Sequence, residues 1–140
     1  MKFYKIEPEV PGGFGNNAII NYRDHPPRVK KLHIEFDGWL EDDILESFPC
    51  YIITERLKKE LEKTSISGCE FDEVEISKSN EFKNLFPKTR LPKFVWLKVN
   101  GKPGKDDLGL LYPARLVVSG RVLNVLRSFN LNHCDIEEYC

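Results

Sequence analysis

From about residue 27 onward the chain states nearly the same pattern twice, and a recurrence at fixed spacing restricts the fold more than composition does. Tyr51-Ile52-Ile53-Thr54 runs into Glu55-Arg56-Leu57; 65 residues later, Leu116-Val117-Val118-Ser119 runs into Gly120-Arg121-Val122. Thr54 matches Ser119, Arg56 matches Arg121, Leu61 matches Leu126 and Cys69 matches Cys134, all at that one offset. Each copy reads as a β-branched strand, a hydroxyl residue at a helix N-cap, a short amphipathic helix and a second strand rich in acids. Ser and Thr suit the cap because their side-chain oxygen accepts from a helical amide that has no partner in the helix. Leu57 and Leu61, and Val122, Val125, Leu126 and Phe129, supply the core-facing stripes. Phe71 and Val74 break strict alternation, which leaves the register of the first acidic strand open.

Upstream the likeness is looser. Leu32-His33-Ile34-Glu35-Phe36-Asp37-Gly38 is set against Val95-Trp96-Leu97-Lys98-Val99-Asn100-Gly101, Asp42-Asp43-Ile44 against Asp106-Asp107-Leu108, and Pro49 against Pro113. The expected fold is α+β, a single domain over 1–140 with an internal duplication of strand–loop–strand–helix–strand units. Its expected parts are an N-terminal strand and arm (1–26), a first half (27–78), a linking helix and loop (79–91) and a second half (92–140). Chance recurrence of a common unit is the alternative to duplication.

The 140 residues suit one domain burying about two-thirds of its unfolded surface. With 41% hydrophobic and 11% aromatic residues the chain is neither a disordered tail nor a collagen. Its 21 bases against 22 acids argue against a nucleic-acid grip built on phosphate neutralisation. No apolar run approaches the roughly 20 residues of a membrane helix, and no secretory pattern opens the chain, so a cytoplasmic location with free thiols is expected. Pro11-Gly12-Gly13-Phe14-Gly15-Asn16-Asn17 lacks the Gly-Lys-Ser/Thr of a phosphate loop and reads as a turn-rich loop.

Chemistry is sparse. His25 precedes two prolines, His33 lies in a strand, and His133 sits beside Cys134 with no zinc-ligand spacing to Cys140. Asp42-Asp43 and Asp106-Asp107 read as solvated turn carboxylates, because adjacent side chains diverge. No catalytic residue, cofactor or metal ligand is therefore assigned. The charges, however, are grouped: three stretches, 35–46, 69–75 and 134–140, hold 13 of the 22 acids and no base. Complementary potential speeds encounter with a basic partner, and Trp39 within the first run would be its anchor. The candidates for that surface are Asp37, Trp39, Glu41, Asp42, Asp43 and Glu46.

Four segments carry a resemblance. These are Tyr4-Lys5-Ile6-Glu7-Pro8-Glu9-Val10-Pro11-Gly12-Gly13-Phe14-Gly15, Phe36-Asp37-Gly38-Trp39-Leu40, Arg115-Leu116-Val117-Val118-Ser119, and the closing residues 130–139. Together they resemble small bacterial immunity proteins of polymorphic toxin systems. The resemblance implies a cytosolic antidote that binds a cognate toxin domain without chemistry, touching neither nucleic acid nor membrane. The competing expectation is a small-ligand-binding or enzymatic domain with its site between the two halves.

Overall fold

Two four-stranded antiparallel sheets form the framework of the computed structural model, which describes residues 2–139. The first has the order β11 (Leu108–Leu111), β12 (Arg115–Ser119), β1 (Phe3–Glu7), β13 (Asp135–Tyr139). The second has the order β6 (Ile44–Ser47), β7 (Cys50–Thr54), β10 (Phe94–Val99), β8 (Cys69–Asp72). Helix α1 (Glu55–Lys63) follows β7 and α3 (Gly120–Arg127) follows β12. The fold is thus α+β and rich in sheet. Thr54 and Ser119 are the N-caps, each extended and accepting from the amide three residues on.

The pairing registers of the two sheets correspond. Leu97 of β10 lies opposite Tyr51 and Phe71, and Ile6 of β1 lies opposite Leu116 and Ile136. Tyr51 and Leu116 are 65 residues apart, as are Phe71 and Ile136. The strand that holds the place of β10 in the other sheet is therefore β1. This corrects the expected match of residues 32–38 with 95–101. Strand β5 (His33–Phe36) lies in a third sheet, between β2 (Gly12–Phe14) and, in parallel, β9 (Glu75–Lys78). Short apolar strands that end in Asp-Gly or Asn-Gly look alike locally, and only pairing separates them.

Strand β7 explains the layering. Tyr51 and Ile53 point into a core shared by both large sheets, with Ile6, Leu97, Leu116 and Val118 and with Leu57, Leu61, Val122 and Leu126 of the helices. Cys50 and Ile52 point the other way, into a core with Leu32, Ile34, Phe36, Phe94 and Trp96 beneath the third sheet. A strand covered on both faces needs the unbroken apolar run seen here, because alternate residues face opposite layers. Helix α2 (Asn80–Leu85), capped by Ser79, closes the second core with the fully buried Phe82. Strands β3 (Ile19–Asn21) and β4 (Arg28–Lys31) form a two-stranded sheet in the arm. The chain breaks between β8 and β9 at Glu73-Val74, which is why Phe71 and Val74 fail to alternate.

The glycine-rich stretch is not simply a loop, because Gly12–Phe14 is β2. A Cβ on Gly12 would stand 2.0 Å from the Glu35 carbonyl oxygen, and one on Gly15 would stand 2.1 Å from the His33 ring. These glycines permit close backbone approach, and their composition mimics a turn. His33 is buried there, within 2.8 Å of the Ser77 hydroxyl, while Nδ1 accepts from the Asn17 amide. Among the described residues no helix is long and apolar enough to cross a membrane.

Candidate functional site

Three of the four paired aspartates, Asp42, Asp43 and Asp107, are interior and not solvated turn carboxylates. Asp43 and Asp107 are buried and do the same job in the two sheets. Asp43 accepts from Thr54 Oγ1 (2.5 Å), from Arg56 Nε and Nη2 (both 2.7 Å), and from the Asn130 amide (2.9 Å). Asp107 accepts from Ser119 Oγ (2.8 Å), from Arg121 Nε (2.8 Å) and Nη2 (2.6 Å), and from the Ser67 amide (3.0 Å). Each carboxylate joins its own cap and arginine to the segment that follows the other helix. Burial pushes the Asp43 carboxyl up, but Arg56, Thr54 and the Asn130 amide outweigh it and hold it below the usual range. Arg121, against the cost of burial, holds Asp107 well below that range.

Their neighbours diverge. Asp106 accepts from the Lys102 amide within its own turn (2.7 Å). Asp42 is fully buried: Glu41, at φ 75°, turns the chain so that the next carboxylate points inward. Asp42 Oδ1 accepts from the Asn132 amide (3.1 Å) and Oδ2 from the His133 amide (2.7 Å). The Nδ1 atom of His133 lies 3.2 Å from Oδ1, and Trp39 Nε1 donates to the Asp42 carbonyl (2.9 Å). Glu9, just past β1, completes the group, so that one donor atom from each of Glu9, Asp42 and His133 lies within 4.8 Å of the others. Its Oε2 accepts from the Leu40 amide (2.7 Å); its Oε1 is enclosed and has no hydrogen-bond partner among the described residues. Burial pushes the Glu9 carboxyl up.

Of the six expected surface residues, Asp37 and Glu41 are exposed and Trp39 is half-buried, edge-on to Phe94 at 5.9 Å between ring centroids. Asp42 and Asp43 are interior. Glu46 is half-buried, its carboxyl pushed up by burial, with the Tyr51 hydroxyl donating to it at 3.3 Å. Asp37 lines a shallow cleft with Glu9, Val10, Pro11, Trp39, Leu40 and Phe86, and Glu41 follows Leu40 in the chain. Val10 is 66% exposed and Leu40 53%. The amides of Asp37 and Gly38 both donate to the Pro11 carbonyl (2.8 and 3.2 Å), which holds the two sides of this cleft together.

The wider separation of charge is partly cancelled by ion pairs. In α1, Lys58, Lys59 and Lys63 pair with Glu62, Glu55 and Glu60, and Arg56 is committed to Asp43. Lys98 meets Glu70 and Asp72, and Lys5 and Lys2 meet Glu137 and Glu138. Asp37 and Glu41 make no ion pair among the described residues. Burial pushes the Cys50 and Cys134 thiols up to about 12 and Cys69 up to about 11, which disfavours their thiolates. Cys140 lies outside the described residues.

Glu9, Asn130 and the partnership of His133 with Asp42 escape a reading of the sequence. Glu9 sits between Pro8 and Val10 with no local signature, and residues 9, 42 and 133 meet only because β1 pairs with β13 and the chain before β6 packs against residues 130–133. No family model matches the chain, and no curated protein matches it.

Proposed function

We propose that this protein is a non-catalytic immunity protein that binds and neutralises a cognate toxin domain. The observation that carries the reading is the cleft of Val10, Trp39, Leu40 and Phe86, with Asp37 in its lining and Glu41 next to Leu40 in the chain, neither acid ion-paired among the described residues. A contiguous exposed apolar surface with a half-buried Trp and a charged rim has the make-up of a protein-binding hot spot. Its charge fits a basic partner, such as a toxin domain whose own cleft is built for nucleic acid. The raised Cys50, Cys69 and Cys134 thiols and the internally satisfied Asp43 and Asp107 stations agree with a role without chemistry. The internal duplication belongs to the same reading: the recurring cap–arginine–aspartate station and the matching registers support two copies whose first strands, β1 and β10, are exchanged between the sheets.

The test is co-expression with any toxin domain that the neighbouring gene encodes. The parent is expected to rescue growth and to co-purify. Asp37→Lys/Glu41→Lys and Val10→Ala/Leu40→Ala, at side chains more than half exposed in the second pair, are each expected to weaken binding by about tenfold or more while leaving the melting temperature unchanged. Failure of the parent to protect or bind, or full protection by both double variants, overturns the assignment.

A further inference from the structure

We propose that Glu9, Asp42 and His133 form a binding site for one divalent transition-metal cation of the Zn²⁺ type.

Three features converge on it. The donor set is an imidazole and two carboxylates, each offering one atom within 4.8 Å of the other two. His133 Nδ1 and Asp42 Oδ1 stand 3.2 Å apart. Two ligands held tetrahedrally at about 2.0 Å from a zinc ion lie roughly 3.3 Å from each other, so this pair already has the spacing of adjacent ligands. The independent feature is Glu9 Oε1, enclosed and without a hydrogen-bond partner, on a residue only 9% exposed. A buried carboxylate oxygen with no donor is costly, and a cation between the three side chains removes the cost.

The surroundings fit ligands held ready. The Asn132 and His133 amides fix the Asp42 carboxylate, and the Leu40 amide fixes the other oxygen of Glu9. Such outer contacts orient ligating groups and leave lone pairs free for the metal. Without a cation the site gathers two carboxylates against one imidazole, in a place where Asp42 is wholly excluded from solvent. The mixture of nitrogen and oxygen with only three protein donors favours Zn²⁺ and its neighbours over Ca²⁺, which takes six to eight oxygens. The His133 side chain is 42% exposed, so the fourth position faces solvent. The site joins the exit of β1, the turn before β6 and the approach to β13, and a cation there would tie these three segments together.

The test titrates the purified, tag-free, chelator-stripped chain with Zn²⁺ by calorimetry, with Mg²⁺ and Ca²⁺ in parallel and Co²⁺ absorption as a spectroscopic check. The expected result is saturable binding of one Zn²⁺ per chain, a Co²⁺ spectrum of four-coordinate intensity, and a higher melting temperature with metal. Glu9→Gln and His133→Gln are each expected to weaken Zn²⁺ binding at least about tenfold, whereas Cys134→Ser/Cys140→Ser binds as the parent does. Glu9→Gln removes an enclosed charge, so without metal it should melt no lower than the parent and should lose the metal-induced rise. Absence of one-to-one binding, Glu9→Gln and His133→Gln variants that bind like the parent, loss of binding in the cysteine variant, or Mg²⁺ or Ca²⁺ binding as tight as Zn²⁺ would each overturn the proposal.

Discussion

Removal of the Asp107 carboxylate tests the account of the framework. The side chain is 9% exposed and receives Ser119 Oγ, two Arg121 nitrogens and the Ser67 amide. In Asp107→Ala the Ser67 amide loses its acceptor in a part-buried bond, at about 1 kcal/mol. The Ser119 hydroxyl loses one bond worth about 1 kcal/mol but still caps α3 through the Val122 amide. The ion pair adds about 1 kcal/mol or less, because Arg121 is 51% exposed and keeps the Thr64 and Ser65 carbonyls. The expected loss is therefore about 3 kcal/mol at neutral pH, or on the order of 10 °C in melting temperature for a domain of this size. Arg121→Ala should cost less, about 1–2 kcal/mol, since Ser67 and Ser119 still hold the carboxylate. Asp106→Ala, one residue away but bonded only within its turn, should cost about 0.5–1 kcal/mol. Urea denaturation of the four proteins at pH 7 measures all three differences. The acid limb gives the sign: a folded carboxyl held below its usual 3.8 stabilises fully above that value, and the gain is lost as pH falls below it. The gap between parent and Asp107→Ala should thus begin to narrow near about pH 5 and keep narrowing as pH falls towards about 2. Equal costs for Asp106→Ala and Asp107→Ala, or a gap between parent and Asp107→Ala that does not narrow in acid, would refute the reasoning.

Gly12→Ala places a Cβ against the Glu35 backbone and should destabilise by about 2 kcal/mol or more, whereas Gly13→Ala, with open space at its Cβ, should cost under about 1 kcal/mol; paired urea melts decide it. In a Cys140→Ser background, with Cys50, Cys69 and Cys134 raised to about 11–12, native thiols should react with a disulfide reagent at pH 8 much more slowly than the urea-unfolded chain does. Asp37→Lys/Glu41→Lys should change stability by less than about 0.5 kcal/mol, because neither residue is buried or ion-paired; circular-dichroism melts check this.

What was legible in the sequence was local. The caps at Thr54 and Ser119, the apolar stripes of α1 and α3 and the doubly covered strand β7 follow from helix and strand periods over fewer than a dozen residues. Placement of the first strands was not legible, because β1, β5 and β10 all present short apolar runs and only long-range pairing decides among them. The burial of Asp42, Asp43 and Asp107 is hidden for a related reason. A carboxylate in a loop is normally solvated, and nothing near Asp43 announces that Arg56, Thr54 and an amide 87 residues away converge on it. The acid clusters were visible, yet the lysines that pair with Glu70, Asp72, Glu75, Glu137 and Glu138 come from distant parts of the chain and only the fold brings them together.

The comparison of the two aspartate pairs separates folding from function. Asp43 and Asp107 have equivalent partners, and a feature that recurs in both sheets is explained by what both sheets need: a helix cap held to the neighbouring segment. Asp42 and Asp106 occupy corresponding places and do not behave alike, since one satisfies its own turn while the other is turned inward against Glu9 and His133. Folding does not require that difference, because the second sheet is complete without it. The third sheet, with Gly12, Asp37 and the turn to Leu40, likewise has no counterpart in the connection between β10 and β11. Both departures fall in one place: Glu9 lines the cleft that Val10 and Leu40 expose, and its carboxylate holds the Leu40 amide. A cation on Glu9 would therefore fix the same turn that presents the apolar side chains, so binding surface and metal site are expected to be coupled rather than independent.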